Sequence, residues 1–211
     1  GRREALDWLC ERYWYPVYAY IRRREHDPAE AQDLTQGFLA AFLQRRSIES
    51  AHPEYGRFRS YLLGALKHYL SDCRDYKSAA RRGGGAEQLP VSWEAVEEQY
   101  LQCPAGLSPD LLYERQWAME LIARAMDLLR AEYAAAGKAA LFDQLKAFLT
   151  GEGDYKRAAA ALGMNEGAAR VSTHRMRRRY RELLTAEIAE TVSDPRAIQE
   201  EIRHLIEVVA G

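Results

Sequence analysis

Residues 154–181 read DYKRAAAALGMNEGAARVSTHRMRRRYR, and this stretch decides the fold. Asp154 is placed to cap a short helix over residues 155–162. Gly163 can take the positive φ that a tight turn requires, and Asn165 can cap a second, longer helix. Two helices joined by a three-residue turn, with alanines where they would cross, predict a helix-turn-helix.

The second of these helices is strongly basic. Residues 170–181 hold six arginines and no acidic residue. Arginines neutralise phosphates and release counterions, and a helix in the major groove presents its first turns to base edges. A solvated, arginine-rich surface helix is the alternative interpretation. We expect base contacts from Glu166, Ala168, Arg170, Val171, Thr173 and His174, and phosphate contacts from Arg175, Arg177, Arg178 and Arg179.

The rest of the chain predicts further helices and no strands. Apolar residues recur at helical spacing, Asp27 and Pro28 are suited to begin a second helix, and the glycines at 83–85 end a third. No alternation of period two occurs over any length, so the expected fold class is all-α. We predict two small helical domains, residues 1–85 and 111–185, joined by a flexible acidic linker, residues 86–110, and followed by a C-terminal helical extension, residues 186–211.

The charge is distributed unevenly along the chain, although its net value is only −1. Residues 56–82 contain seven Lys or Arg against two Asp, whereas residues 83–110 contain four Glu, one Asp and no base. Two basic blocks on either side of an acidic segment predict two modules that face nucleic acid and a connector that stays off DNA. One short helix is expected in the connector, around Glu94 to Leu101.

Composition argues against several classes of protein. No apolar run approaches the roughly 20 residues of a transmembrane helix, and no secretory signal is visible, so a cytoplasmic protein without membrane insertion is expected. The three cysteines, at 10, 73 and 103, are far apart and form no CxxC pair, which disfavours a disulfide scaffold or a zinc site. Phosphate-binding loops, GxSxG and HExxH motifs do not occur, so we expect no enzyme and no cofactor.

Three segments of the N-terminal half occur in an order and at spacings typical of one protein family. They are Glu30–Gln36 (EAQDLTQ), Phe58–Leu62 (FRSYL) and Lys67–Asp72 (KHYLSD). They resemble the acidic D-A-E-D-L-V-Q helix, the F-R-x-W-L segment and the R-N-x-x-x-D segment of the extracytoplasmic-function (ECF) sigma factors of the sigma-70 family. The predicted helix-turn-helix stands where that family binds the minus-35 element, so the resemblance covers most of the chain.

The resemblance implies partners and roles. The partners would be bacterial core RNA polymerase, through its largest and second-largest subunits, and promoter DNA. The acidic linker, with Glu87, Glu94, Glu97 and Glu98, would run towards the RNA exit path and mimic RNA; a merely solvated linker is the alternative. The implied contacts are polymerase docking by Glu30, Asp33 and Gln36; minus-ten opening by the loop Ser47 to Gly56 with Phe58, Arg59 and Tyr61; and DNA phosphate contacts by Lys67, His68, Arg74 and Lys77.

Core packing is the alternative reading of Phe58 and Tyr61. Aromatic side chains beside cations suit unstacked single-stranded DNA, but aromatic side chains at helical spacing also fill cores. The sequence leaves both open.

The chain departs from the family pattern in three places. Gln32 replaces a usual acid of the docking helix, which weakens attraction to the polymerase clamp. Thr35 stands where the family has a small aliphatic residue, and phosphorylation there by a Ser/Thr kinase would restore negative charge; an anti-sigma factor is the other regulator considered. The extension after Thr185 carries an apolar stripe from Ala197 to Val209, which would pack on the C-terminal domain or serve as a regulatory clamp, partner site or dimer contact.

A repressor or activator with a helix-turn-helix and a sensory N-terminal domain is the rival function. It would explain the C-terminal half equally well, but it would not explain the three N-terminal segments. The two classes differ in one property: a repressor binds operator duplex by itself, usually as a dimer, whereas a sigma factor binds its promoter tightly only with polymerase.

Overall fold

A computed structural model of the chain describes residues 2–24, 26–44, 57–77 and 92–210, with side chains over residues 8–24, 26–42, 57–73 and 92–210. Within these ranges the structure is helical, the β geometry being limited to an isolated bridge between Arg57 and Val192. The predicted all-α class is confirmed. The helices are α1 (Arg2–Arg23), α2 (Pro28–Gln44), α3 (Phe58–Lys77), α4 (Trp93–Leu101), α5 (Pro109–Ala135), α6 (Ala139–Leu145), α7 (Tyr155–Leu162), α8 (Glu166–Ala189) and α9 (Ile198–Ala210), with short 3-10 turns at Lys146–Leu149 and Pro195–Ala197.

None of the helices in the described ranges is both long enough and apolar enough to span a bilayer.

The chain divides into two compact units, residues 1–120 with 191–211 and residues 121–190. The division differs from the predicted one, because it falls inside α5 and assigns the C-terminal extension to the first unit. The first turns of α5 explain the difference: the Tyr113 ring lies 6.4 Å from that of Tyr20, and the Arg59 guanidinium lies 4.8 Å above the ring of Trp117. Because of these contacts with α1 and α3, the start of α5 belongs to the first unit.

Helix α1 is the centre of the first unit. Tyr13, Tyr15, Val17, Tyr18 and Ile21 are all 0% exposed, so the part of the helix from Tyr13 to Ile21 is buried on every side rather than along one stripe. A helix that is apolar all round is expected to lie inside its domain. The aromatic side chains of α1 therefore form the part of the core against which α2, α4 and the start of α5 pack.

The segment predicted to be a flexible linker contains a packed helix. Helix α4 has nearly the bounds that the sequence predicted, and the rings of its Trp93 and of Trp14 in α1 meet edge to face with centroids 6.2 Å apart. The Glu97 carboxylate accepts hydrogen bonds of 2.5 Å from both Tyr18 Oη and Arg22 Nη2. Residues 92–108 thus form part of the first unit, held to α1 by rings and by a charged pair.

The second unit is built from the remainder of α5 with α6, α7 and α8. Its core contains Ala125, Leu129, Phe142, Leu145, Phe148, Ala158, Met176 and Leu183. The predicted caps are present: the Asp154 side chain accepts from the amides of Lys156 and Arg157, and the Asn165 side chain accepts from the Ala168 amide at 2.8 Å. Gly163 has φ +63°, the left-handed conformation that glycine adopts without strain.

Candidate nucleic-acid interface

Helix α8 has one buried stripe and one broad exposed face. Ala169, Thr173 and Met176 are 0% exposed and recur at the spacing of a single helix face. Ala158 and Ala159 of α7 are also buried, and the two helices pack directly on each other. Small side chains at the crossing allow the short helix α7 to lie close to α8, which leaves the opposite face of α8 in solvent.

Five of the six residues expected to contact bases lie on the exposed part of α8. Val171, on the side opposite the buried stripe, is 52% exposed although it is apolar. An exposed valine on an otherwise charged helix face suits contact with the methyl group of a thymine. The five exposed residues are Glu166, Ala168, Arg170, Val171 and His174.

Thr173 does not lie on this face. Its side chain is 0% exposed, and Oγ1 has no hydrogen-bond partner among the described residues. Thr173 lies four residues after Ala169 and three before Met176, so helical geometry places it in the buried stripe. Its expected base contact, which rested on closeness to the helix start, is not available in this structure, because the side chain is buried.

The arginines of α8 have different surroundings. Arg177 donates to the carbonyl oxygen of Phe148 at 2.7 and 3.2 Å, so it caps the end of the 3-10 turn rather than facing solvent freely. Arg178 pairs with Glu182 at 3.0 Å. Arg179 pairs with Glu132 and with Glu182, and its hydrogen bonds lower the pKa of both carboxyls.

Arg175 is exposed and has no ion-pair or hydrogen-bond partner among the described residues. It lines a groove of about 360 Å³ together with Ser172 and Lys138. Lys138 lies just before α6, far along the chain from the arginine-rich stretch, and no motif in the sequence points to it. Only the packing of α6 and α8 brings a cation from that turn to the flank of α8.

Arg170 is held by a stack of rings. The rings of Phe148 and Tyr155 stack with centroids 4.2 Å apart and planes inclined by 28°, and the Arg170 guanidinium lies 4.3 Å from the centre of the Tyr155 ring. Glu166 is 3.9 Å away, at the limit of an ion pair. A cation ordered on a ring at the edge of an exposed helix face is placed to contact phosphate or a base edge.

The residues expected to dock on polymerase lie on α2. Asp33 is exposed, Gln36 is half-buried, and Glu30 accepts a hydrogen bond or ion pair from Nδ1 of His26 at 2.8 Å. Asp33 is thus the member of this set that presents its carboxylate most openly. Thr35 points inward: it is 0% exposed and its hydroxyl donates to the Ala31 carbonyl at 2.7 Å. A kinase could not reach this hydroxyl while α2 is folded as described, which argues against the proposed phosphorylation.

Phe58 and Tyr61 are half-buried in a group of aromatic rings. The Phe58 ring lies 5.3 Å from that of Trp8 and 5.2 Å from that of Tyr13, and the Tyr61 ring lies 5.9 Å from that of Phe42. Tyr61 also lines a groove of about 490 Å³ with His68 and Tyr69. Core packing therefore describes Phe58 well, whereas Tyr61 keeps one side towards an open groove.

Arg59 is buried rather than presented to solvent. It is 3% exposed, its Nε donates to Glu201 Oε2 at 2.8 Å, and it also pairs with Glu114. Burial alone would lower the pKa of this guanidinium, but the hydrogen bonds to Glu201 and the charge of Glu114 raise it, so it remains a cation. The conformation described here offers this side chain to carboxylates of its own unit and not to DNA.

Of the remaining residues expected to contact the minus-ten region, two are exposed and two have side chains outside the described residues. Lys67 is exposed and pairs with Asp110, and His68 is exposed at the rim of the groove beside Tyr61. Several expected contacts lie outside the described residues: the side chains of Arg74 and Lys77, the loop from Ser47 to Gly56, and Glu87 of the linker. In the linker, Glu94 and Glu98 are exposed, whereas Glu97 is held by Arg22.

Comparisons of this chain with protein-family models, with curated proteins and with solved structures found no match.

Proposed function

We propose that this protein is a sigma factor that binds bacterial core RNA polymerase and directs promoter recognition, DNA melting and transcription initiation. The observation that carries the proposal is the exposed face of α8, where Val171, His174 and Arg178 lie together and Arg170 and Arg175 flank them. Helix α7, the Gly163 turn and the Asn165 cap hold this face on a packed unit. Such a face has the size, charge and apolar centre that reading a DNA major groove requires.

Features of the first unit favour a protein partner in addition to DNA. An acidic residue in the open, Asp33, lies on α2, and the three segments that resemble those of the ECF sigma factors are distributed over α2 and α3. An operator-binding regulator has no need of this arrangement. The proposed role of Asp33 is electrostatic attraction to a basic surface of the polymerase, which acts on association rate and specificity.

In vitro transcription tests the proposal. Purified core polymerase is supplied with a genomic fragment library, at fixed salt, with and without the protein. Protein-dependent transcripts that share motifs near minus thirty-five and minus ten are expected. The variant Asp33→Ala is expected to reduce transcription by weakening polymerase binding. The matched control is Glu207→Ala, since Glu207 is also an exposed acid of the first unit and has no ion pair among the described residues.

The operator-binding regulator makes the opposite prediction. It would bind a discrete duplex site tightly in the absence of polymerase, would gain nothing from adding polymerase, and would give no protein-dependent transcripts. Binding to core polymerase, measured by gel filtration or by competition with another sigma factor, separates the two functions without knowledge of the promoter.

A further inference from the structure

Acidic residues of the C-terminal helix α9 form ion pairs with arginines at the start of α3. Arg57 Nη2 lies 3.0 Å from Glu200 Oε2, and Arg57 Nε lies 2.5 Å from Glu201 Oε1. Glu201 also holds Arg59, at 2.8 Å. Two neighbouring glutamates of α9 therefore form ion pairs with Arg57, just before α3, and with Arg59, in its first turn. All four residues belong to the first unit.

Polar contacts hold α9 in addition to an apolar stripe. Along residues 198–210, Leu205 is buried, Ile206 is 58% exposed, and the half-buried apolar residues are Ile198, Ile202, Val208 and Val209. The other attachments are polar: His204 Nε2 lies 2.9 Å from Glu114, and Arg115 donates to the carbonyls of Val208 and Val209 at 3.2 and 3.3 Å. The Arg57–Glu200 pair is partly exposed, with side chains 35% and 57% accessible, and exposed ion pairs exchange partners readily when a polyanion is present. The Arg59–Glu201 pair is buried and is released only when α9 detaches from the first unit.

A guanidinium accepts a carboxylate or a phosphate by the same forked pair of donors. The Arg59 guanidinium lies 4.8 Å from the centre of the Trp117 ring, and the aromatic residue Phe58 follows Arg57 in the chain. Cations next to aromatic rings form the type of surface that holds single-stranded nucleic acid. The surface that α9 covers thus has the chemistry of a nucleic-acid site, and Glu200 and Glu201 stand where phosphates would bind.

We propose that α9 is an internal occupant of a single-stranded DNA site, and that DNA phosphates replace Glu200 and Glu201 on Arg57 and Arg59 when the promoter opens. This proposal rests on the proposed function, because it assigns the regulation of the same minus-ten region. In the free protein, α9 holds that region closed and keeps the chain from binding nucleic acid indiscriminately.

The test uses the full-length chain with core polymerase and a fluorescein-labelled pool of random single-stranded 20-mers. Glu200→Gln/Glu201→Gln is expected to bind the pool at least tenfold more tightly than the unaltered chain. Its log–log salt slope should steepen by about 1.4, since each of two additional phosphates on a single strand contributes about 0.7. Glu207→Gln is the matched control, because Glu207 is an exposed acid of α9 without an ion pair among the described residues. Equal affinity of the double variant and the control, with both folded by circular dichroism, overturns the proposal.

Hydrogen exchange provides a measurement that needs no variant. Amides of residues 198–210 are expected to exchange faster in the polymerase complex with DNA than in the polymerase complex alone. Equal or slower exchange while DNA is bound overturns the internal-occupant proposal, and so does a failure of every form to bind the pool. Protein-dependent transcription is measured separately. If transcripts form but hydrogen exchange in α9 does not change, the proposed sigma function is retained and the proposal about α9 is wrong. If the protein neither binds polymerase nor gives transcripts, both proposals are wrong.

Discussion

Arg59 and Glu201 form a buried ion pair, with Nε and Oε2 2.8 Å apart and the two side chains 4% and 1% exposed. The residues are separated by 142 positions in the chain. Since Glu114 also contacts Arg59, one cation holds together α3, the start of α5 and α9. The same cation is one of the two that the proposed displacement of α9 would release.

Removal of Arg59 is expected to destabilise the chain strongly. Arg59→Ala leaves the carboxylates of Glu201 and Glu114 close together without their shared cation, and breaking a buried pair in this way costs about 3–5 kcal/mol. Chemical denaturation followed by circular dichroism measures the loss. Arg203→Ala is the control, because Arg203 is exposed on α9 and is expected to change the free energy of unfolding by less than about 0.5 kcal/mol. Equal stability of the two variants would contradict the assignment of Arg59 as the anchor.

The pair between Arg22 and Glu97 predicts an acid-sensitive contribution to stability. The hydrogen bonds from Arg22 lower the pKa of the Glu97 carboxyl. The pair therefore stabilises the fold fully above the ordinary pKa of glutamate, and this contribution is lost as the pH falls through the lower pKa of the folded state. Glu97→Gln is expected to lower the melting temperature at pH 7 and to flatten the acid side of the stability profile. Glu98→Gln, next to it but exposed, should leave the whole profile unchanged.

Two glycines should respond in opposite directions to the same substitution. Gly163 has φ +63°, so Gly163→Ala is expected to destabilise the second unit by about 1 kcal/mol. Gly64 lies inside α3, where an added Cβ meets no atom within 4 Å, so Gly64→Ala is expected to stabilise the first unit by about 0.5–1 kcal/mol. Thermal melts of the two variants check the signs. A stabilising Gly163→Ala would show that the turn after α7 is not as described, and a destabilising Gly64→Ala would show that the space beside Gly64 in α3 is not.

Substitutions at position 35 should separate burial from modification. Thr35→Val keeps the volume and removes only a hydroxyl that bonds the Ala31 carbonyl, so a loss of no more than about 1.5 kcal/mol is expected. Thr35→Asp places a charge at a site that is 0% exposed and should cost about 3 kcal/mol or more. Denaturation curves measure both. A Thr35→Asp variant as stable as the unaltered chain would mean that α2 opens readily and would make a phosphorylation site credible again.

The face of α8 predicts two kinds of DNA-binding defect. If the proposed function holds, Val171→Ala changes the preferred duplex sequence, because an apolar contact with a base is removed. Arg175→Ala weakens binding to all sequences alike and reduces the magnitude of the salt slope by about 0.9, because one phosphate contact is lost. Selection from a random duplex library at two salt concentrations, in the presence of polymerase, measures both effects. Lys146→Ala, an exposed cation paired with Asp143, is the control.

Local sequence signals predicted the elements of the second unit well. Asp154, Gly163 and Asn165 act on the backbone within a few residues of themselves, and the caps and the turn occur where those residues predicted them. The same reasoning predicted the start of α2 at Pro28, where Asp27 Oδ1 accepts from the Glu30 amide at 2.8 Å. Closeness to the start of α8 was a poor guide to exposure: Thr173 belongs to the buried stripe, because it lies four residues after Ala169 and three before Met176.

The amino-acid sequence by itself determined that the chain is helical, where several of its helices begin and end, and that α8 carries many arginines. These properties depend on backbone preferences and on side chains a few positions apart, which a single chain displays directly. Only the tertiary structure decided which cations are available: Arg177 caps a carbonyl, Arg175 faces a groove, and Arg59 is neutralised by Glu201. The physical reason is that burial and ion pairing depend on residues brought together from distant parts of the chain, and no periodicity in the sequence records that encounter.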